Sequence, residues 1–414
     1  MRPGAIYLVS AAGIPNYGDD FITRGWLCFL AKRHPAVEVW VDCPDPGVAA
    51  TLLARFHPRV HFTDTIWRVS EQHAHEAELS VFREALRERV VALGTPRYDI
   101  GLERMRHAAS IHFLGGGYLN SIWQGNLGLV FAAAEISRRF AVPLFGTGIG
   151  AMPLSPEARS AFLEEVPQFS YFEARDDETA DALGAVHGYD DAFLGIGYPG
   201  WNSQDPDLPG AMVLIQGDFA DDDLRGEVDR VVDMFVRRYA ASPAGEGLAF
   251  VEAYPPVDGQ RWAEYRVRYP AARYFPFQGI WEEGLPLAPG QKWLTTRFHL
   301  HLLGAAGGVA GTAINVRDDY YGTKHRSLWR LGTGWQVMDA SDLRSDVPLA
   351  PNVAADFRVL VNDASRSKEQ LARRLYPSAR MRATRRIFGA MTRRADPVKR
   401  VFAQISAQRA SAAS

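Results

Sequence analysis

Arg297 and His299 stand two residues apart in the run Thr296-Arg297-Phe298-His299, directly after the apolar stretch 292–295. A guanidinium is always charged and offers a planar fork of donors to phosphate or carboxylate. An imidazole titrates near neutrality and can hand over a proton. With 292–295 as a strand and 298–304 as a helix, both groups sit at a helix start, where backbone dipoles add partial positive charge. The bland alternative is a surface arginine and a core histidine. Further on, Arg317, Lys324, His325 and Arg326 flank Asp318-Asp319-Tyr320-Tyr321-Gly322 after the apolar run 309–316. Two cationic clusters behind successive strands suggest a small, multiply charged anion.

Gly115-Gly116-Gly117 closes the apolar run Ser110-Ile111-His112-Phe113-Leu114. Three glycines at a strand's carboxyl end let backbone approach a ligand and point N–H groups at an anion, unless they form only a flexible turn. Asn16-Tyr17-Gly18-Asp19-Asp20 follows the first apolar run, residues 5–10. Asp19 or Asp20 could orient a hydroxyl, but a cap for the helix that follows is the favoured reading. Tyr118 and Trp123 could stack on a sugar ring or simply pack in a core. Gly146-Thr147-Gly148-Ile149-Gly150 reads as a strand-to-loop turn.

Other motifs are set aside. Gly195-Ile-Gly-Tyr-Pro-Gly200 fits a dinucleotide fingerprint by letter, but no helix opens after it to receive a pyrophosphate. His73, His75 and Glu76 read as a solvated helix face rather than a metal site, because positions two apart do not face one another. No Walker loop, G-x-S-x-G or H-E-x-x-H occurs.

Short apolar runs alternate with amphipathic segments. Strands are expected at 5–10, 37–41, 111–114, 143–147 and 170–173, and, after a Pro/Gly-rich break at 195–210, at 211–216, 248–253, 292–295 and 309–316. Helices are expected at 19–32, 127–139, 156–165, 223–239 and 298–304, and much of 67–93 reads as helical. This alternation predicts an α/β fold of two doubly wound Rossmann-like domains, 1–200 and 211–345, facing across a cleft. Ligands in such sheets bind at the carboxyl ends of the strands.

The chain has 414 residues with a net charge of −2, so it is not a polycation built to coat nucleic acid. Its two cysteines and the lack of an export signal predict reduced thiols and a cytoplasmic location. Charge is uneven: residues 364–414 hold 13 Lys and Arg against two acids, which leaves −13 on the preceding 363 residues. The segment 355–414 is expected to be a basic helical tail. Ile387, Phe388, Met391, Val398, Phe402 and Ile405, interleaved with basic residues, could lie on an anionic membrane surface. A disordered tail or a helix packed on the acidic body would read the same.

Taken in order, Asn16-Tyr17-Gly18-Asp19-Asp20, His112-Phe113-Leu114-Gly115-Gly116-Gly117, Glu173-Ala174-Arg175-Asp176-Asp177-Glu178-Thr179 with Asp190-Asp191 downstream, Thr296-Arg297-Phe298-His299 and Tyr321-Gly322-Thr323-Lys324 resemble the motifs of the polysaccharide pyruvyltransferase family over about residues 5–335. The resemblance implies a two-lobed fold like that of GT-B glycosyltransferases. It implies transfer of pyruvate from phosphoenolpyruvate onto two hydroxyls of a sugar as a ketal, releasing phosphate. The acceptor would be a sugar of a cell-surface glycan or glycolipid, and could be lipid-linked. Neither metal nor further cofactor is required, with phosphoenolpyruvate as co-substrate, and no nucleic acid is expected as partner. Arg297 would bind the donor carboxylate or phosphate, and His299 would be the general acid. Lys324 would serve the phosphate end, and Asn16, Asp19, Gly115, Gly116 and Gly117 would complete substrate binding. Arg175 is expected to pair with nearby acids. The alternative is a GT-B-type glycosyltransferase using a nucleotide-sugar donor, although no Glu-x7-Glu pair occurs between Gly210 and Asp339. A non-catalytic two-lobed binding protein is the third class.

Overall fold

A computed structural model describes residues 4–377, apart from 76–77, 204, 219–221, 317–320 and 346. Residues 1–369 form one compact unit, which holds two all-parallel sheets, and 370–414 form a second. The first sheet comprises β1 (Ile6–Val9), β2 (Val39–Asp42), β3 (Val60–Thr63), β4 (Ser110–Phe113), β5 (Leu144–Ile149), β6 (Phe169–Ala174) and β7 (Val186–His187), in the order β3-β2-β1-β4-β5-β6-β7. The second comprises β8 (Ala211–Leu214), β9 (Leu248–Val251), β10 (Arg273–Phe275), β11 (Lys292–Thr295), β12 (Ala310–Ile314) and β13 (Gln336–Met338), in the order β10-β9-β8-β11-β12-β13. Each is the doubly wound arrangement that the alternation predicts. Strand order reverses between β1 and β4 in one lobe and between β8 and β11 in the other. Clefts form at such switch points because the connections leave in opposite directions.

Strands β1, β4, β8, β9 and β12 are fully buried, as in Ile-Tyr-Leu-Val of β1 and Ala-Met-Val-Leu of β8, because helices cover both faces. In the first lobe the helix Leu127–Phe140 buries ten consecutive residues, from Leu127 to Ile136, against the sheet and its neighbours. In the second, Leu224, Val228, Val231, Val232 and Phe235 form one apolar face of the helix Asp222–Tyr239. The expected helix at 19–32 begins earlier, as Tyr17–Arg33, and its cap is Asn16, whose side chain accepts from the Gly18 N–H. Asp19 and Asp20 therefore do not cap it. The Gly146–Gly150 run is no turn either: through Ile149 it is strand, and it carries the site beyond it.

The lobes meet along the start of that first helix. The Tyr17 N–H donates to the Ala253 carbonyl just after β9, at 2.9 Å. Its ring packs edge-on against Phe277 and Trp281 of the second lobe. The helix Phe357–Leu375 follows the second sheet in sequence, yet its Lys368 is buried against the first. Lys368 Nζ donates to Asp191 Oδ1 at 2.8 Å and to Glu173 Oε1 at 3.0 Å. Burial opposes its charge, but the two carboxylates outweigh that and raise its pKa. Lys368 is thus not part of a free basic tail. The proposed membrane segment from Ile387 to Ile405 lies outside the described residues. No helix among the described residues is long and apolar enough to cross a membrane.

Breaking a buried ion pair from one side leaves uncompensated charge and typically costs about 3–5 kcal/mol. Lys368→Met is expected to destabilise the chain by about that much in denaturant unfolding. A loss under about 1 kcal/mol would show that Lys368 does not hold the two carboxylates.

Candidate active site between the lobes

Loops at the carboxyl ends of β1, β4, β6 and β7 meet helix starts of the second lobe. Gly18 is the point of closest approach. A Cβ there would fall within the His299 ring, so glycine is required for His299 to lie on the first lobe. His299 Nε2 is 3.5 Å from Asp190 Oδ2, and the side chain is only 11% exposed. Asp190 in turn accepts from Arg175 Nη1 at 2.7 Å. Burial pushes the Asp190 carboxyl up, but His299 and Arg175 overcome it and hold its pKa well below the usual range. Asp190 is therefore a standing anion beside the imidazole.

The Gly115–Gly117 turn forms the floor. A Cβ on Gly117 would come within 2.7 Å of Lys324 Nζ and 3.2 Å of Arg175 Nη2, so two cations crowd over one glycine. Gly116 has φ +142°, a conformation open to glycine, and a Cβ there would stand 3.1 Å from Asp19 Oδ1. Gly115 differs from the expectation: its N–H is spent on Asp191 Oδ2, at 2.9 Å, rather than offered to an anion. It anchors the turn. Asp191 also accepts from Trp26 Nε1 at 2.9 Å and Thr147 Oγ1 at 2.7 Å. The glycines of β5 make room for these groups. A Cβ on Gly148 would meet Asp191, and one on Gly150 would meet the Arg175 guanidinium.

Lys324 and Asp19 complete the cluster, each keeping part of its surface open. Burial and the neighbouring Arg175 push the Lys324 pKa well below normal, against the pull of Asp19 and Asp176. Burial raises the Asp19 pKa, with His299, Arg175 and Lys324 opposing. The arrangement can attract an anion, donate a proton from an imidazole, and accept one at a carboxylate whose pKa is raised above its ordinary value.

Of the residues expected from the sequence, the structure brings together Asp19, Gly116, Gly117, His299 and Lys324. Asn16 reaches the site only as the cap. Arg297 caps the helix Phe298–Ala306 and pairs through Nη2 with Asp258, with Asp218 at 3.7 Å and its guanidinium over the Tyr254 ring at 5.4 Å. The second cationic cluster does not hold as a unit. Neighbours on a helix point in different directions, so Lys324 enters the site, His325 is buried and Arg326 pairs with Asp339. Arg317 lies outside the described residues, as does Glu76 of the His73/His75 group. Tyr118 is a core residue, its hydroxyl on the carbonyls of Val9 and Leu114, whereas Trp123 is 46% exposed. Arg175 does pair with an acid, as expected, but also faces the cluster. Asp190 was visible only as a landmark, since no spacing shows that it reaches a histidine more than a hundred residues away.

Fold and site define a two-lobed α/β protein with a cationic crevice that holds an imidazole. Residues 16–318 match the family described as polysaccharide pyruvyl transferase, and the chain belongs to that family. No curated protein matches it. Among solved structures, the UDP-GlcNAc 2-epimerase of Methanocaldococcus jannaschii is similar over 90% of this chain and 98% of its own, with TM-score 0.49 and 10% identity. The UDP-GlcNAc 2-epimerase of Neisseria meningitidis bound to UDP-GlcNAc is similar over 89% and 94%, with TM-score 0.47 and 7% identity. A glycosyltransferase of Rickettsia africae is similar over 90% and 93%, with TM-score 0.46 and 9% identity.

Gly18→Ala tests the approach of the lobes without any substrate. Alanine would ordinarily strengthen a helix by up to about 1 kcal/mol relative to glycine. Here it is expected to lower the melting temperature, because overpacking against His299 costs about 1–3 kcal/mol. An unchanged or higher melting temperature would mean that His299 does not rest on Gly18.

Proposed function

We propose that this chain transfers pyruvate from phosphoenolpyruvate onto two hydroxyls of a saccharide as a ketal, with release of phosphate. Family membership supports the class of reaction. The observation that carries the reading is the crowding of Lys324 and Arg175 over Gly117, with His299 held nearby against Gly18 and Asp190. A phosphate and a carboxylate on three carbons need several cationic partners once removed from water.

In this reading Lys324 and Arg175 hold the phosphate. Arg297 takes the carboxylate, exchanging part of its contact with Asp258 and Asp218 for it. His299, steadied by Asp190, protonates the methylene carbon and leaves an oxocarbenium-like centre at the carbon bearing phosphate. One sugar hydroxyl adds there and loses its proton to Asp19. The second hydroxyl displaces phosphate. Asp19 then returns the first hydroxyl's proton to His299 and the second hydroxyl's proton leaves with phosphate, so the sum is phosphoenolpyruvate plus diol to ketal plus phosphate. The acceptor is proposed to be a saccharide destined for the cell surface, free or lipid-linked. Phosphoenolpyruvate is a metabolite of the cytoplasm, which puts the reaction there.

Mass spectrometry of saccharides incubated with the protein and phosphoenolpyruvate is expected to show a ketal-linked pyruvate, with matching phosphate release. His299→Ala should lower turnover by about 10²–10⁴-fold while the fold survives. Turnover like the wild type in that variant would remove His299 from the mechanism. If a nucleotide-sugar, and not phosphoenolpyruvate, raises the melting temperature, the donor assignment is wrong.

Anion binding should also move protons. A bound phosphate stabilises the charged form of Lys324, whose pKa is depressed in the empty site. At about pH 8, where the phosphate is fully ionised, phosphoenolpyruvate is expected to bind with net proton uptake. Calorimetry in two buffers of different ionisation enthalpy reads this. Zero uptake, or release, would mean that the ligand does not reach Lys324.

A further inference from the structure

Behind the crevice, two buried histidines join the helix that carries His299 to the helix that carries Lys324. His301, on Phe298–Ala306, places Nδ1 3.1 Å from Nδ1 of His325, on Tyr321–Leu331. His325 Nε2 is 3.2 Å from the Thr296 carbonyl oxygen, immediately before Arg297. His301 Nε2 is 2.9 Å from Thr333 Oγ1, and the His301 ring stacks on Trp335 at 4.8 Å between centroids. Both histidines are 0% exposed.

Hydrogen-bond chemistry sets the proton positions. A carbonyl oxygen only accepts, so His325 donates from Nε2 and, when neutral, accepts at Nδ1. His301 must then donate from Nδ1, which leaves its Nε2 to accept the Thr333 hydroxyl proton. The chain Thr333 to His301 to His325 to Thr296 is complete with both rings neutral. An added proton on His325 Nδ1 would set two donors face to face. One on His301 Nε2 would reverse the Thr333 bond and create a buried cation.

We propose that the neutral His301–His325 pair is a positioning device for the active site, locking the Lys324 helix to the Arg297–His299 turn, and that protonation of the pair releases this lock. Both rings are buried behind the crevice and act through His299 and Lys324. The proposal rests on the placing of His299 and Lys324 in the reaction. Among the described residues, the charged groups bearing on His325 are Lys324 on its own helix and Asp339 after β13. Burial, with Lys324, lowers His325 to about 4 against the pull of the Thr296 carbonyl and Asp339, and burial with His325 holds His301 well below its ordinary value. An unfolded histidine titrates near 6.5. The pair's contribution to stability is therefore complete above about pH 6.5 and is lost as the pH falls toward 4.

The test compares full-length wild type, His301→Leu and His301→Asn; asparagine keeps an N–H donor toward His325. Melting temperature against pH needs no substrate. The wild type is expected to fall steeply below about pH 6.5 and His301→Leu to fall less. With phosphoenolpyruvate and an acceptor, kcat/KM of His301→Leu is expected to drop about tenfold, with its acid limb displaced, and His301→Asn to recover most of the loss. Equal melting slopes in all three proteins overturn the lock, whether or not the wild type makes a ketal. Wild-type kcat, KM and pH profile in His301→Leu overturn it as well. If His301→Leu does not fold, His301→Asn decides alone: an acid limb unchanged from wild type overturns the proposal. A wild type that shows the steep slope but makes no ketal counts against pyruvyl transfer and leaves the lock supported.

Discussion

Two adjacent acidic side chains, Asp190 and Asp191, lie almost wholly away from water. Moving a carboxylate out of water costs several kcal/mol unless partners replace its hydration. Asp191 meets that demand inward, through Trp26, Gly115, Thr147 and Lys368. Asp190 meets it outward, through Arg175 and His299. One dipeptide therefore ties the first helix, the glycine turn, the middle of the sheet and the late helix to the groups that face the crevice. Its geometry is over-determined, because moving any one partner exposes a buried charge.

The crevice is held short of electrostatic comfort. Arg175 and Lys324 crowd over Gly117, and burial adds to their repulsion. Asp19 and Asp176 relieve part of it, as the opposed influences on Lys324 record. A site poised in this way gains from a multiply charged anion more than an exposed one would, since Coulomb attraction strengthens as water is excluded. In the proposed reaction the same exclusion would keep solvent from bypassing the acid.

The inner strands were legible because a parallel strand covered on both faces must be apolar throughout. The nine expected strands, from β1 to β12, are the inner strands of the two sheets. The four that escaped notice, β3, β7, β10 and β13, are the outer strands of the two sheets. Each is partly exposed, and β10, Arg-Tyr-Phe, and β7, Val-His, are too short and too polar to stand out from loop. Helix starts misread by two residues have a similar cause. Asn16, Asp19 and Asp20 are all competent caps, and only the backbone path selects Asn16.

By itself the sequence determined the class of fold, with its two parallel α/β sheets, and offered several of the residues that meet between them. Periodicity and the chemistry of side chains are local properties that survive in one dimension. It also carried the family, through motifs in a fixed order. Only the tertiary structure decided the pairings: that Arg297 lies against Asp258, that Gly115 spends its N–H on Asp191, that Lys368 is a core cation and not part of a basic tail, and that His325 turns away from its neighbour Lys324 to meet His301. Those choices depend on which groups, distant along the chain, are buried together without water. The free energy of a buried charge or donor is set by its neighbours in space.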